Sequence, residues 1–83
     1  MHYIILCRSM TAAQRAARRL QSAGIFASVT KAPQSANPRG CTYAVKLGER
    51  NLGRAVEELR EAGLPVGRTF LLYADGTLRE VGA

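Results

Sequence analysis

The chain has 83 residues, a net charge of +6 and an apolar fraction of 47%, values that describe one small basic domain and exclude a disordered chain. No apolar run approaches the ~20 residues that a membrane-spanning helix needs, and residues 1–8 lack the basic start and apolar stretch of a secretion signal. We therefore expect a single domain over residues 1–83 that is cytoplasmic, with its two cysteines reduced.

The basic charge is concentrated in the first part of the chain. Residues 1–48 contain seven Lys or Arg and no Asp or Glu, whereas residues 49–83 contain six acidic and five basic residues. A positive field of this kind attracts nucleic acid, an acidic protein or an anionic ligand, and it favours the thiolate form of a nearby cysteine. An arginine-rich solvated surface is the alternative interpretation.

The N-terminal part predicts a strand followed by a helix. Residues 3–8 are apolar and β-branched, as expected for a buried strand. The helix begins at Ser9 or Thr11, either of which can cap its first turn, and Gly24 ends it in a left-handed conformation. Small apolar residues at helical spacing form its buried face: Ala13, Ala16, Ala17 and Leu20.

The rest of the chain predicts four strands and a second helix. Asn51 caps this helix and Gly63 ends it. A loop of small, polar and basic residues occupies 34–40, and Asp75-Gly76 is a two-residue hairpin signal. The strands are predicted at 25–32, 41–47, 68–74 and 77–81.

This order of elements, β-α-β-β-α-β followed by a terminal hairpin, is typical of the ferredoxin-like split βαβ fold. We therefore predict an α+β domain with a four-stranded antiparallel sheet in the order 4-1-3-2, two helices on one face and a C-terminal β-hairpin. The end of strand 1, the start of helix 1 and the starts of strands 3 and 4 then lie together. Because the central strands are apolar on both faces, we expect a homo-oligomer or a partner to cover the face without helices.

Cys41 is the strongest candidate for chemistry. It follows Arg39 and Gly40 at the entry to a predicted strand, and the topology places Arg8 and the start of the first helix near it. Cations and helix N-termini favour the nucleophilic thiolate, and Gly40 leaves space for an approaching partner. The alternative is that Cys41 packs as a small apolar residue at a strand start.

Cys7 lies in an apolar strand, so we interpret it first as a core residue. Its functional alternative is a second thiol that resolves Cys41 across adjacent antiparallel strands, which requires Cα atoms within ~7 Å. The two cysteines and His2 lack the spacing of zinc ligands, and the scattered glycines form no phosphate-binding loop. We therefore expect neither a metal nor a cofactor.

A small RNA-binding module is an alternative of a different class. The RNA recognition motif has the same topology, opens strand 3 with a basic residue and glycine, and presents aromatic residues on strands 1 and 3. Arg39-Gly40, Tyr43 and Tyr3 match part of this pattern, whereas Cys41 and Lys46 occupy two of the aromatic positions. Nucleic acid therefore ranks behind a thiol function.

Three motifs, taken in order along the chain, match a known family pattern. They are Cys7-Arg8-Ser9 at the end of the first strand, Ala23-Gly24-Ile25 at the helix end, and a Pro-containing loop over 32–40 that leads into Cys41 and an apolar strand. In this order and spacing the chain resembles the small bacterial selenium/sulfur carrier-like proteins over nearly its full length. Thr42 departs from the pattern, because glycine usually follows that cysteine.

The resemblance implies a carrier protein rather than an enzyme. Cys41 is then the carrier thiol, which holds sulfur or selenium as a persulfide or selenopersulfide between a donor and an acceptor protein. Arg39 and Arg8 then stabilise the anion by charge and hydrogen bonds, Gly40 and Ser9 are further supporting residues, and the basic face docks an acidic partner. An oligomeric interaction protein with an inert thiol is the third alternative.

Overall fold

A computed structural model of the chain describes residues 1–33 and 43–81. Within them it forms an α+β fold of two helices and an antiparallel sheet, and the predicted element types are confirmed with ends that differ by a residue or two. The elements are β1 (His2–Cys7), α1 (Met10–Ser22), β2 (Ala27–Lys31), β3 (Tyr43–Gly48), α2 (Leu52–Glu61), β4 (Thr69–Leu72) and β5 (Leu78–Val81). The predicted start of the third strand, at 41–42, lies outside the described residues.

The sheet has five strands in the order β2-β3-β1-β4-β5, and all four neighbouring pairs are antiparallel. The prediction of four strands is wrong, because β5 pairs with β4 along its whole length, from Thr69↔Val81 to Leu72↔Leu78. The turn between these strands contains Gly76 at φ 90°, and it returns the chain alongside β4 so that β5 extends the sheet edge. The strands β1 to β4 lie in the predicted order, 4-1-3-2.

Both helices end in the same way, at Ala23-Gly24-Ile25 and Ala62-Gly63-Leu64. In each segment the glycine has a positive φ, 80° and 71° respectively. The amide of the following residue donates to the carbonyl oxygen five residues earlier, at 2.9 Å in both cases. This pattern satisfies the last helical carbonyl groups and turns the chain toward the sheet, so the predicted glycine stops are confirmed. Neither helix among the described residues is long and apolar enough to cross a membrane.

The main core lies between the helices and one face of the sheet. The predicted stripe of α1 is buried, with Ala13 and Leu20 at 0% exposure. It packs with the inward residues of α2 and with Ile5, Val45 and Leu47 of the central strands. The alanines of α1 leave its backbone close to the sheet, because a methyl group is the only side chain between them. This packing fixes where α1 begins relative to the end of β1.

The opposite face of the sheet carries a second apolar cluster, which includes Ile4, Leu6 and Phe70. The sequence predicts an apolar patch on this face that stays exposed until a homo-oligomer or a partner covers it, and the predicted exposure is wrong for these side chains. Their exposed fractions within the single chain are 1%, 8% and 6%. The guanidinium of Arg68 lies 5.2 Å from the centre of the Phe70 ring and covers part of this cluster. The apolar pattern of this face therefore gives no argument for a homo-oligomer.

Candidate functional site

The sheet register brings the described part of the predicted site together at one end of the fold. Cys7, the last residue of β1, pairs with Tyr43, the first described residue of β3. The amide of Leu6 donates to the carbonyl oxygen of Arg68, just before β4, at 2.9 Å. The predicted meeting of the end of β1 with the starts of β3 and β4 is thus confirmed. Three predicted site residues lie outside the described residues: Arg39, Gly40 and Cys41.

Helix α1 begins at this same end, and Ser9 is its N-cap. The Ser9 side-chain oxygen accepts a hydrogen bond from the amide of Ala12 at 3.1 Å, which confirms Ser9 over Thr11 as the capping residue. By contrast, Asn51 occupies the predicted N-cap position of α2 but makes no side-chain capping bond. The first turn of α1 contains no acidic residue. The positive end of its dipole is therefore not neutralised by its own helix.

A cavity of about 490 Å³ opens where β1 ends and α1 begins. This volume lies within the range that small-molecule sites usually have, roughly 300–1,000 Å³. The polar part of its lining is Cys7, Arg8, Ser9, Thr11 and Arg15. The remainder is mostly apolar and comprises Leu6, Ala12, Ala16, Leu64, Pro65, Val66 and Gly67. We call this cavity the β1–α1 groove.

The charged side chains of the β1–α1 groove are both cations. Arg8 and Arg15 line it, and its described lining includes no Asp or Glu. Within residues 1–33 and 43–81, neither arginine forms an ion pair with a carboxylate. Two cations and the start of α1 therefore give the groove a positive potential, which attracts anionic groups.

Cys7 belongs to both the core and the groove. It is half-buried and packs against the helix-side core cluster, as the first interpretation of its apolar strand predicts. Its Sγ atom lies 3.6 Å from the carbonyl oxygen of Ile5, to which the thiol donates. It also lines the groove, so a ligand bound there lies next to this cysteine. The sequence pattern of β1 alone cannot indicate that Cys7 lines a groove, because another wall of the groove comes from a distant part of the chain.

That wall is the segment 64–67, which sequence reasoning missed as a functional element. Gly67 lies so close to β1 that an added Cβ would overlap the carbonyl oxygen of Leu6. A larger residue would push the segment away from the strand and change the shape of the groove. The available signal was the pair Pro65 and Gly67 next to a strand, since glycine there often marks a close approach between two backbones.

The aromatic residues proposed for RNA stacking lie on the wrong face of the sheet. Tyr3 and Tyr43 are half-buried and pack against the cluster that the helices cover. A stacking platform requires aromatic rings on the open face, where bases can reach them. The prediction of a platform built from these two tyrosines is therefore wrong.

Comparison with protein-family models gives one match, described as "Putative Se/S carrier protein-like", over residues 2–70. The chain belongs to this family. The family match includes both cysteines, the start of α1 and the 64–67 wall of the β1–α1 groove. No curated protein and no solved structure gives a significant match to the chain.

Proposed function

We propose that this protein is a sulfur or selenium carrier that holds a persulfide or selenopersulfide on Cys41 and passes it between partner proteins. Membership of the Se/S carrier family over residues 2–70 is the observation that carries the proposal. In this proposal the chain acts as one ferredoxin-like domain over residues 1–83, with Arg39 and Gly40 flanking the carrier thiol. It is a carrier rather than a catalyst.

The transfer needs no oxidant or reductant. The Cys41 thiolate attacks the outer sulfur of a donor persulfide, a new S–S bond forms on Cys41, and the donor leaves as a thiolate. An acceptor thiolate then attacks the outer sulfur of the Cys41 persulfide and restores the Cys41 thiolate. Selenium follows the same course when the outer atom is selenium. Each step exchanges one thiolate for another, so the main requirement is an anionic thiol in a positive environment.

The described residue that follows Cys41 most closely in the sequence supports this assignment. Tyr43 follows Cys41 by two residues and pairs with Cys7, and two residues of extended chain span at most about 7 Å. We therefore propose that Cys41 acts at this end of β1, together with Arg8 and Ser9. A cation at this end stabilises a persulfide anion by charge and hydrogen bonding.

A docking surface for an acidic partner is available on α1. Arg8, Arg15 and Arg18 are exposed on or next to this helix, and the whole of 1–48 lacks acidic residues. Complementary charge raises the rate of encounter and helps to exclude wrong partners. We propose that donor and acceptor proteins present an acidic surface to this side.

Intact mass spectrometry after incubation with a cysteine desulfurase and free cysteine tests the proposal. The wild-type chain should gain one sulfur atom, and Cys41→Ser should gain none. Cys7→Ser is the matched control, because it removes the other cysteine and should still gain the sulfur. Treatment with a dithiol reductant should remove the added atom from both chains that gain it.

Two results contradict the assignment. If neither wild type nor Cys7→Ser gains sulfur from an active desulfurase, the chain does not carry a persulfide from this donor class. If Cys41→Ser gains sulfur as readily as wild type, the carrier thiol is Cys7 instead.

A further inference from the structure

We propose that the β1–α1 groove is a binding site for small carboxylate-bearing thiol compounds, and that Cys7 is the residue their disulfides modify. This goes beyond the carrier role, because it concerns the other cysteine and a small-molecule ligand rather than a protein donor. It is carried by the cavity, the two cations that line it and the thiol in its wall.

The shape and lining of the groove suit a small amphipathic ligand. Its volume of about 490 Å³ accommodates a molecule the size of a short peptide or smaller. Leu64, Pro65 and Val66 form an apolar wall, against which a short carbon chain can pack. The polar groups lie on the other elements, at the end of β1 and the start of α1.

The charge of the groove selects an anion. Arg8 and Arg15 line it without an acidic partner in the described lining, and a planar guanidinium binds a carboxylate through two parallel hydrogen bonds. The hydroxyl of Thr11 is a further donor in the lining. A neutral ligand of the same size gains none of these charge-assisted bonds, and a cationic ligand is repelled.

The thiol of Cys7 gives such a ligand something to react with. When a symmetric disulfide RSSR binds, the Cys7 thiolate attacks one sulfur and a Cys7–S–S–R bond forms. The S–S bond of RSSR breaks and its other half leaves as the thiolate RS⁻, so atoms and electrons balance with the disulfide as the named oxidant. A carboxylate on R that contacts the arginines holds the reacting sulfur next to Cys7. Thiolation at Cys7 should therefore depend on the charge of R.

Rates of mixed-disulfide formation with three disulfides of similar size test this dependence. The protein is Cys41→Ser, in which Cys7 is the one remaining cysteine. The probes are dithiodiglycolate (anionic), bis-hydroxyethyl disulfide (neutral) and cystamine (cationic), and each rate is divided by the rate of the urea-unfolded protein. This division removes the intrinsic reactivity of each probe. We expect the anionic probe to exceed the neutral one about tenfold at low salt, with the cationic probe slowest.

Substitution of the arginines should remove this selectivity. Arg8→Gln with Arg15→Gln should lower the ratio of the anionic rate to the neutral rate, both measured on this variant, from about ten to about one. Arg18→Gln is the matched control, because Arg18 is exposed on the same helix but does not line the groove. All three arginines are exposed, so both variants should keep the fold of the wild-type chain. Circular dichroism checks this.

Equal normalised rates for the three probes overturn the proposal, and so does selectivity that survives in the double variant. No modification of folded Cys41→Ser by any probe also overturns it, because the thiol is then out of reach. If Cys41→Ser does not fold, the same rates are measured on the wild-type chain, with the modified cysteine identified by peptide mapping. Because the carrier assay scores Cys41, failure of one proposal is distinguishable from failure of the other.

Discussion

The two ends of α1 use their arginines differently. At the C-terminal end, Arg19 pairs with Glu58 of α2 at 3.1 Å, and Arg54 of α2 donates to the carbonyl oxygen of Ala23 at 2.7 Å. At the N-terminal end, Arg8 and Arg15 line the β1–α1 groove and form no ion pair within the described residues. The cations at one end join the two helices, and those at the other remain available to a ligand.

The helix dipole makes this difference informative. A cation near a helix C-terminus is favourable, whereas a cation near the N-terminus opposes the positive end of the dipole. Arg54 of α2, which reaches the C-terminal end of α1, therefore stabilises the fold. Arg8 lies directly before the N-cap Ser9 and gains no such stabilisation from the dipole. A residue that costs stability where it lies is typical of a functional site, and an anionic ligand would compensate both Arg8 and the helix end.

Substitution of Gly67 should have the largest effect on stability. Gly67→Ala places a Cβ against the carbonyl oxygen of Leu6, and the free energy of unfolding should fall by about 1–3 kcal/mol. Gly53→Ala is the matched control, because Gly53 is exposed in α2 with open space around it. It should instead raise the free energy of unfolding by roughly 0.5–1 kcal/mol. Urea unfolding measures both, and an equal response to the two substitutions would contradict the close approach at Gly67.

Removal of the α1 cap comes next. Ser9→Ala deletes the hydrogen bond to the amide of Ala12, so the free energy of unfolding should fall by about 1 kcal/mol. Ser22→Ala is its counterpart at the other end of α1, where the hydroxyl donates to the carbonyl oxygen of Arg18 at 2.8 Å. Such a bond adds little to a helix, so this variant should unfold like wild type. A larger loss for Ser22→Ala than for Ser9→Ala would show that the capping end is not the more sensitive one.

Neutralising one arginine at each end tests the comparison itself. Arg19→Gln breaks the ion pair with Glu58, which is partly exposed, and should cost up to about 1 kcal/mol. Arg15→Gln breaks no ion pair among the described residues and should change stability by less than about 0.5 kcal/mol. A double-mutant cycle with Glu58→Gln isolates the pair energy for Arg19. If Arg15→Gln destabilises as much as Arg19→Gln, the groove cations are structural as well.

The smallest expected effect on stability concerns the ion pair of Arg68 with Glu80. Arg68 is the cation that directly follows the 64–67 wall of the groove. Its guanidinium forms two hydrogen bonds with Glu80, at 2.9 and 3.0 Å, and this bonding lowers the pKa of the Glu80 carboxyl below its ordinary value. Because the folded pKa is the lower one, the contribution is complete above the ordinary carboxyl pKa. It is lost as the pH falls through the folded pKa.

Urea unfolding between neutral and acidic pH, with wild type and Glu80→Gln, measures this contribution. The two stabilities should converge as the pH falls. The contribution of Asp75 to the stability of the fold is also lost as the pH falls, because its hydrogen bonds with Thr77 lower the pKa of its carboxyl group. The difference between the two chains therefore isolates Glu80. A difference that grows toward acidic pH would contradict the assigned sign.

The sequence predicts most of the fold, because its elements have strong local signals. The alanine stripe of α1 and the glycine stops at Gly24 and Gly63 are local patterns, and the structure has each of them. The turn at Asp75-Gly76 is also present, but three residues rather than the predicted two separate the hydrogen-bonded Tyr73 and Thr77. The strand at 77–81 is predicted, but its place in the sheet was missed, since a hairpin signal shows that two segments turn back on each other and not how far they pair. The burial of Ile4 and Leu6 was also missed, because it depends on packing that no single segment encodes.

The site is harder to predict for the same reason. Cys7, Arg8 and Ser9 are contiguous, so their proximity follows from the sequence, and the cap at Ser9 is a local signal. The groove requires the 64–67 segment to lie against β1, which is a contact between distant parts of the chain. The role of Cys41 stays a prediction that rests on the family, since it lies outside the described residues.

The most direct test of the difference between the two ends of α1 is an NMR titration of the wild-type chain with succinate, a small dicarboxylate. Signals of the arginine Nε–H groups report both ends in one experiment. The account predicts saturable shifts for Arg8 and Arg15 and for the amides of the first turn of α1, with little change for Arg19 and Arg54. Shifts that are largest at Arg19 and Arg54, or that are equal at all four arginines, would contradict it.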